Sequence, residues 1–65
     1  MMLVMKEGAT EEQIQSVIDR IEKTGASAHV SRGQFVTVIG AVGDADNRVQ
    51  DAGLELAEGV DHVVP

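Results

Sequence analysis

Residues 27–42 read Ser-Ala-His-Val-Ser-Arg-Gly-Gln-Phe-Val-Thr-Val-Ile-Gly-Ala-Val, and the fold turns on how this stretch divides. Over 27–32 the residues alternate. Ala28 and Val30 point to one side and Ser27, His29 and Ser31 to the other, the period-two pattern of a half-buried strand. Arg32-Gly33-Gln34 supplies a short connection containing glycine, and residues 35–42 resume a run rich in β-branched side chains. Two such runs so closely joined predict an antiparallel hairpin.

Working outward toward the start, residues 2–5 form a short apolar run closed by Lys6-Glu7-Gly8, which predicts a buried strand and a turn. Thr10 and Gln13 have capping-box spacing, and Glu11 and Glu12 lie in the first turn, where the helix dipole favours negative charge. Ile14, Val17, Ile18 and Ile21 then fall on one helical stripe opposite Glu12, Gln15, Asp19, Glu22 and Lys23. Gly25, after Thr24, occupies the usual place of a left-handed helix end. Toward the other end, Gly43-Asp44 breaks the β run and Asp44 is placed to cap a second helix. That helix has a weaker stripe of Val49, Ala52 and Leu56, with Gly53 inside it. Gly59 closes it, and residues 60–64 read as a last strand before Pro65.

The order β, α, β, β, α, β is a repeated split βαβ unit. It predicts an α+β, ferredoxin-like sandwich, a four-stranded antiparallel sheet with two helices on one face. The other sheet face is left open to be polar, to bind a ligand or to pair with a second subunit. A chain of 65 residues is one domain and buries only ~60% of its unfolded surface. With no cysteine, disulfides and thiolate zinc sites are closed to it, and association is the remaining route to stability.

The net charge is -6, and the basic residues Lys6, Arg20, Lys23, Arg32 and Arg48 are scattered. Phosphate backbones require a basic patch or stripe, and the single aromatic residue, Phe35, offers no stacking platform, so nucleic acid is not an expected partner. The opening apolar run is too short for a signal-peptide core, and no membrane partner is expected; the chain reads as cytoplasmic. No metal or cofactor is expected, since His29 and His62 belong to different strands without ligand partners at helical or hairpin spacing. Asp44 and Asp46 read as cap and loop, because the acids completing a calcium loop are missing.

His29 and Ser31 share a strand face and resemble a base and nucleophile, but no third orienting group or oxyanion site accompanies them. No catalytic residue is therefore assigned. Gly40-Ala41-Val42-Gly43 lacks the Lys-Ser/Thr of a phosphate loop. Gly40 within a strand instead marks a bulge or the close approach of a ligand or another backbone. The methionines at 1, 2 and 5 read as initiation and core filling.

Several segments together resemble the N-terminal ferredoxin-like (ACT-like) regulatory domain of 3-deoxy-7-phosphoheptulonate (DAHP) synthases. They are Val4-Met5-Lys6-Glu7-Gly8-Ala9-Thr10-Glu11-Glu12-Gln13-Ile14, His29-Val30-Ser31-Arg32-Gly33-Gln34, Thr37-Val38-Ile39-Gly40 and Gly59-Val60-Asp61-His62-Val63-Val64-Pro65. The resemblance spans essentially all of residues 1–65. In that family the domain precedes a (β/α)₈ barrel, an aldol-type transferase that opens the shikimate pathway to aromatic amino acids; the barrel is absent from this sequence. The resemblance implies a regulatory domain that is not itself an enzyme. It also implies feedback inhibition, with tyrosine or phenylalanine bound between paired domains that cover the barrel's entrance. His29 and Ser31 match positions where tyrosine-responsive members contact the ligand side chain. The Gly40 region and the start of the chain are then expected to serve its ammonium and carboxylate. A buried phenol hydroxyl met by a histidine and a serine separates tyrosine from phenylalanine, so tyrosine is the expected ligand.

Two other readings remain open. One is an oligomerisation module that pairs through the open face and binds no metabolite. The other, a small enzyme resembling acylphosphatases on the same fold, needs an arginine after the first strand, where Lys6, Glu7 and Gly8 stand instead. The family pattern would continue past Pro65, which favours a piece of a longer protein, though a natural short chain would read the same.

Overall fold

The capping box at Thr10 forms as its spacing predicts. The Gln13 backbone N–H donates to Thr10 Oγ1 at 3.1 Å, and the Thr10 N–H donates to Gln13 Oε1 at 3.0 Å. This starts α1, Glu11–Lys23, in a computed structural model that describes residues 1–43 and 48–65. Nothing is described of the Gln50 and Asp51 side chains. The expected cap at Asp44 and the loop acid Asp46 lie outside the described residues. Ile14, Val17 and Ile21 of the apolar stripe are buried and Ile18 is partly buried against them. The helix ends at Thr24 and Gly25, whose φ of +95° is the left-handed conformation expected there.

The strands are β1 (Met2–Met5), β2 (Ser27–Arg32), β3 (Thr37–Val42) and β4 (Val60–Val64). They form one antiparallel sheet in the order β2-β3-β1-β4, the arrangement of a ferredoxin-like sandwich. The hairpin is present, its turn closed by the Gly33 N–H donating to Val36 O at 2.9 Å. Phe35 and Val36 belong to that connection, so β3 begins two residues later than the β run suggests.

One sheet face packs on α1. Leu3 and Met5 of β1, Ile39 and Ala41 of β3 and Val60 of β4 join the helix stripe, Val49 and Leu54 in a single buried cluster. Each large apolar side chain so buried contributes ~1.5–3 kcal/mol before the cost of chain ordering. Arg32, at the end of β2 on this side, donates to Glu11 Oε1 at 2.7 Å, joining the hairpin to the start of the helix. Gly59 joins the helix start to β4. Its carbonyl accepts from the Lys6 N–H at 2.7 Å, and a Cβ there would lie 2.8 Å from Gln13 Oε1, inside the capping box.

The second helix differs from expectation. Among the described residues it comprises one α turn, α2 (Arg48–Asp51), followed by a 3₁₀ turn at Leu54–Leu56. Gly53, at φ +66° and ψ 35°, sits between them and redirects the chain. The phase of the stripe shifts as a result. Val49 and Leu54 are buried, whereas Leu56, expected on the buried stripe, is 87% exposed. Among the described residues, one full helix and these two turns therefore stand where two helices were expected.

Candidate functional site

In an antiparallel sheet, residues directly opposite one another share a face, so register alone assembles the open side. His29 pairs with Gly40 and Gly40 with Met2, which pairs with Val64. In the next row Ser31 pairs with Val38 and Val38 with Val4, which pairs with His62. Ser27 and Val42 begin a third row. The alternation in 27–32 thus placed His29 and Ser31 correctly, opposite the helix.

Of the three residues singled out from sequence, His29 and Gly40 are direct cross-strand neighbours, and Ser31 lies two residues along the same edge strand. His29 and Ser31 are exposed and Gly40 is partly so. The pairing through Gly40 runs without interruption, so it marks no bulge. The irregularity of the sheet falls between Val4 and Met5 against β4. A Cβ built on Gly40 would meet only the His29 carbonyl oxygen, at 3.8 Å. The missing side chain therefore leaves a notch between His29 and Met2, floored by backbone and large enough for an added group. The start of the chain lies beside it, since the Ala41 N–H donates to Met1 O at 2.9 Å.

Sequence reasoning missed the rest of the face. Met2, Val4, Val38, Val42 and Val64 give it an apolar centre, with Met2 47% and Val42 56% exposed. Met2 is thus a surface residue and not core filling, while Met5 is buried as expected. Among the described residues, no Asp, Glu, Lys or Arg occupies a paired position on this face, although a quarter of the chain is charged. His62 lies at its far edge, with Nδ1 2.6 Å from Asp61 Oδ2. A neutral ring held in this way carries its proton on Nδ1 and presents Nε2 as an acceptor.

Two shallow depressions elsewhere flank α1. One is lined by Thr10, Glu12, Gln13, Ser16 and Glu58, the other by residues including Glu12, Asp19, Arg20 and Lys23. Both are open and rich in charge, and neither includes His29, Ser31 or Gly40. Ligand sites favour apolar linings with a few placed polar groups, which describes the sheet face and not these clefts. Among the described residues, no three His, Asp or Glu side chains cluster as metal ligands, and no helix is long and apolar enough to cross a membrane.

A helix-backed antiparallel sheet in the order β2-β3-β1-β4 is a ferredoxin-like α+β domain, and its candidate site is the open sheet face. The chain belongs to the family described as the DAHP synthase ferredoxin-like domain, matched over residues 1–65. It is 46% identical over 44 residues to phospho-2-dehydro-3-deoxyheptonate aldolase of Thermotoga maritima, a match covering 68% of this chain and 13% of that protein. The crystal structure of the DAHP synthase of the same organism superposes with a TM-score of 0.68 at 35% identity, covering 97% of this chain and 19% of that one. The chain therefore spans less than a fifth of the length of these relatives.

Proposed function

We propose that this domain regulates a DAHP synthase by binding an aromatic amino acid between the open sheet faces of two copies. Tyrosine is the preferred ligand and phenylalanine the weaker one. The observation that carries the reading is the uncharged face, with His29 and Ser31 at its rim and the Gly40 notch beside them. An aromatic ring rests on the notch, while the imidazole and hydroxyl meet its phenol group. Phenylalanine leaves those two groups without a partner in a desolvated interface, which costs affinity. The ligand's ammonium and carboxylate are assigned to backbone groups around Gly40 and the start of the chain, which the Ala41–Met1 hydrogen bond holds together.

Size explains why pairing should need a ligand. Four strands at ~4.8 Å and five residues of ~3.3 Å each give a sheet face of roughly 300 Å² in projection. Even doubled for side-chain relief, this falls short of the ~800 Å² per partner of a standard interface. Pairing through the face alone is therefore weak, and a ligand filling the notch adds the missing contact. A ligand that binds the paired state better than the separated one shifts the equilibrium by its differential affinity and no more. In a cytoplasmic full-length enzyme, this pairing would cover the entrance of the catalytic barrel, giving feedback inhibition of aromatic biosynthesis.

Thermal unfolding with tyrosine, phenylalanine, tryptophan and no ligand, at two protein concentrations, tests this reading. At 100 times its Kd, a ligand specific for the folded state stabilises by ~2.7 kcal/mol. Stabilisation by tyrosine that is lost in His29→Ala supports the proposal. A melting temperature that depends on protein concentration but on none of the amino acids would leave a ligand-free pairing module instead.

A further inference from the structure

We infer that the free edge of β2 is a second, separate association surface, and that its occupant is β2 of another copy, paired antiparallel about a two-fold axis through Val30. The inference goes beyond the function proposed above, for it needs no ligand and leaves the open face uncovered.

Register fixes which backbone groups are free. The bond from the Gly33 N–H to Val36 O makes these two residues a hydrogen-bonded row of the hairpin. Bonded and non-bonded rows alternate along an antiparallel pair, so Ser31–Val38, His29–Gly40 and Ser27–Val42 are bonded rows. Ala28, Val30 and Arg32 therefore direct their N–H and C=O groups away from β3, where no strand follows. The bond from the Ala41 N–H to Met1 O gives the same phase, since Ala41, opposite Ala28, is turned toward β1.

Free edges in folded proteins are commonly guarded by irregularity, charge or proline. β4, at the opposite edge, has all three: the irregularity at Val4/Met5, the exposed Asp61, and Pro65 directly after it. β2 is regular over its six residues and contains no proline, lysine or carboxylate. Its one cation, Arg32, is drawn to Glu11. An apolar strip runs along the helix side of this edge. Val30, which shares a face with the buried Ile39, is still 36% exposed. Ile18 lies on the helical stripe of Glu11, the residue tied to β2, and opposite Arg20, which donates to Ala52 O on the far side. Because α1 runs from Glu11 beside Arg32 to Thr24 just before β2, Ile18 is level with the middle of the strand.

Self-complementarity selects a second copy as the occupant. A register centred on Val30 joins all three outward residues: Val30 meets Val30, and Ala28 meets Arg32 in both directions, each row exchanging two hydrogen bonds. Moving the centre to His29 or Ser31 leaves Arg32 or Ala28 without a partner in the strand. The Val30 register sets no like charges opposite one another, places His29 opposite Ser31, brings the two Val30 side chains into contact and turns the two Ile18 side chains toward each other. Pairing of β2 with β4 would meet the guarded edge and would not close. Chains of net charge -6 can approach here because β2 carries no acid and the neighbouring Glu11 is neutralised by Arg32. A six-residue strand is only ~20 Å long, so the contact falls well below the ~800 Å² per partner of a standard interface. Pairing is accordingly weak, with a Kd on the order of 1 mM.

Sedimentation equilibrium without any amino-acid ligand, from about 20 μM to about 1 mM chain, tests the edge, with Val30→Lys and Val30→Glu run singly and as a 1:1 mixture. Circular dichroism checks that both variants fold. The unaltered chain should pass from monomer toward a pair across this range. Each variant alone should associate at least ten-fold more weakly, because position 30 meets itself, and the mixture should recover association because lysine then meets glutamate. Amide exchange gives a second readout: the Ala28, Val30 and Arg32 amides should slow as concentration rises, whereas those of His29 and Ser31, already bonded to β3, should be slow throughout. A chain that stays monomeric at the highest concentration, association that neither variant weakens, or a mixture no tighter than its parents overturns the inference. No tyrosine is present, so each of these results leaves the ligand reading standing, and failure of tyrosine to bind would leave the edge pairing standing.

Discussion

Replacing Gly40 with valine should separate folding from ligand binding. Gly40 does not have a positive φ, and a Cβ there meets one atom, the His29 carbonyl oxygen, at ordinary van der Waals distance. The added side chain projects onto the exposed face, between residues that leave space for it. In the interior of a strand, glycine gives up conformational entropy and β propensity worth about 0.5–1 kcal/mol relative to a residue with a side chain. Gly40→Val should thus raise the stability of the free domain by that amount, or several degrees in Tm for a domain of this size. Yet the new side chain fills the notch. The ~2.7 kcal/mol that tyrosine contributes at 100 times Kd to the unaltered chain should therefore vanish. Urea and thermal unfolding, each with and without tyrosine, provide both numbers. Loss of stability in the free variant would show that the fold itself needs glycine here, and undiminished stabilisation by tyrosine would show that the ligand does not use the notch. Either result refutes the reasoning.

Leu54→Ala should cost 2–5 kcal/mol and Leu56→Ala under about 0.5 kcal/mol, since only the first is buried; urea midpoints read the difference, and equal losses would contradict the placement of the 3₁₀ turn. Thr10→Ala removes a capping box that is formed on both sides and should lower stability by about 0.5–2 kcal/mol, seen as a lower urea midpoint. The exposed Arg32–Glu11 pair should contribute no more than about 1 kcal/mol in a double-mutant cycle, and less in 1 M salt; a large coupling that is insensitive to salt would be inconsistent with its exposure.

Helix α1 was legible because it carried more than one local signal. Thr10 and Gln13 marked the start of α1 by capping chemistry, the isoleucines set its buried side, and Gly25 marked its end. The alternation of 27–32 was enough by itself to place His29 and Ser31 on the open face. The weaker stripe of Val49, Ala52 and Leu56 failed because a left-handed Gly53 breaks the helical phase between its members, and periodicity cannot be carried across such a break. Residues 2–5 were legible as a strand but not in phase: a continuous apolar run does not say which of Met2, Leu3, Val4 and Met5 faces the helix. Only pairing with Gly40 and Val38 settles that, and with it the apolar centre of the face. His62 was hidden for a similar reason, because the irregularity at Val4/Met5 shifts the register of β4.

Ligand-dependent pairing is measured most directly by sedimentation velocity of the 65-residue chain, with and without saturating tyrosine, over a range of protein concentrations. The account predicts a largely monomeric chain that tyrosine drives to a two-fold pair, with phenylalanine less effective at the same concentration. A chain whose state of association is the same with tyrosine, with phenylalanine and with neither would contradict it.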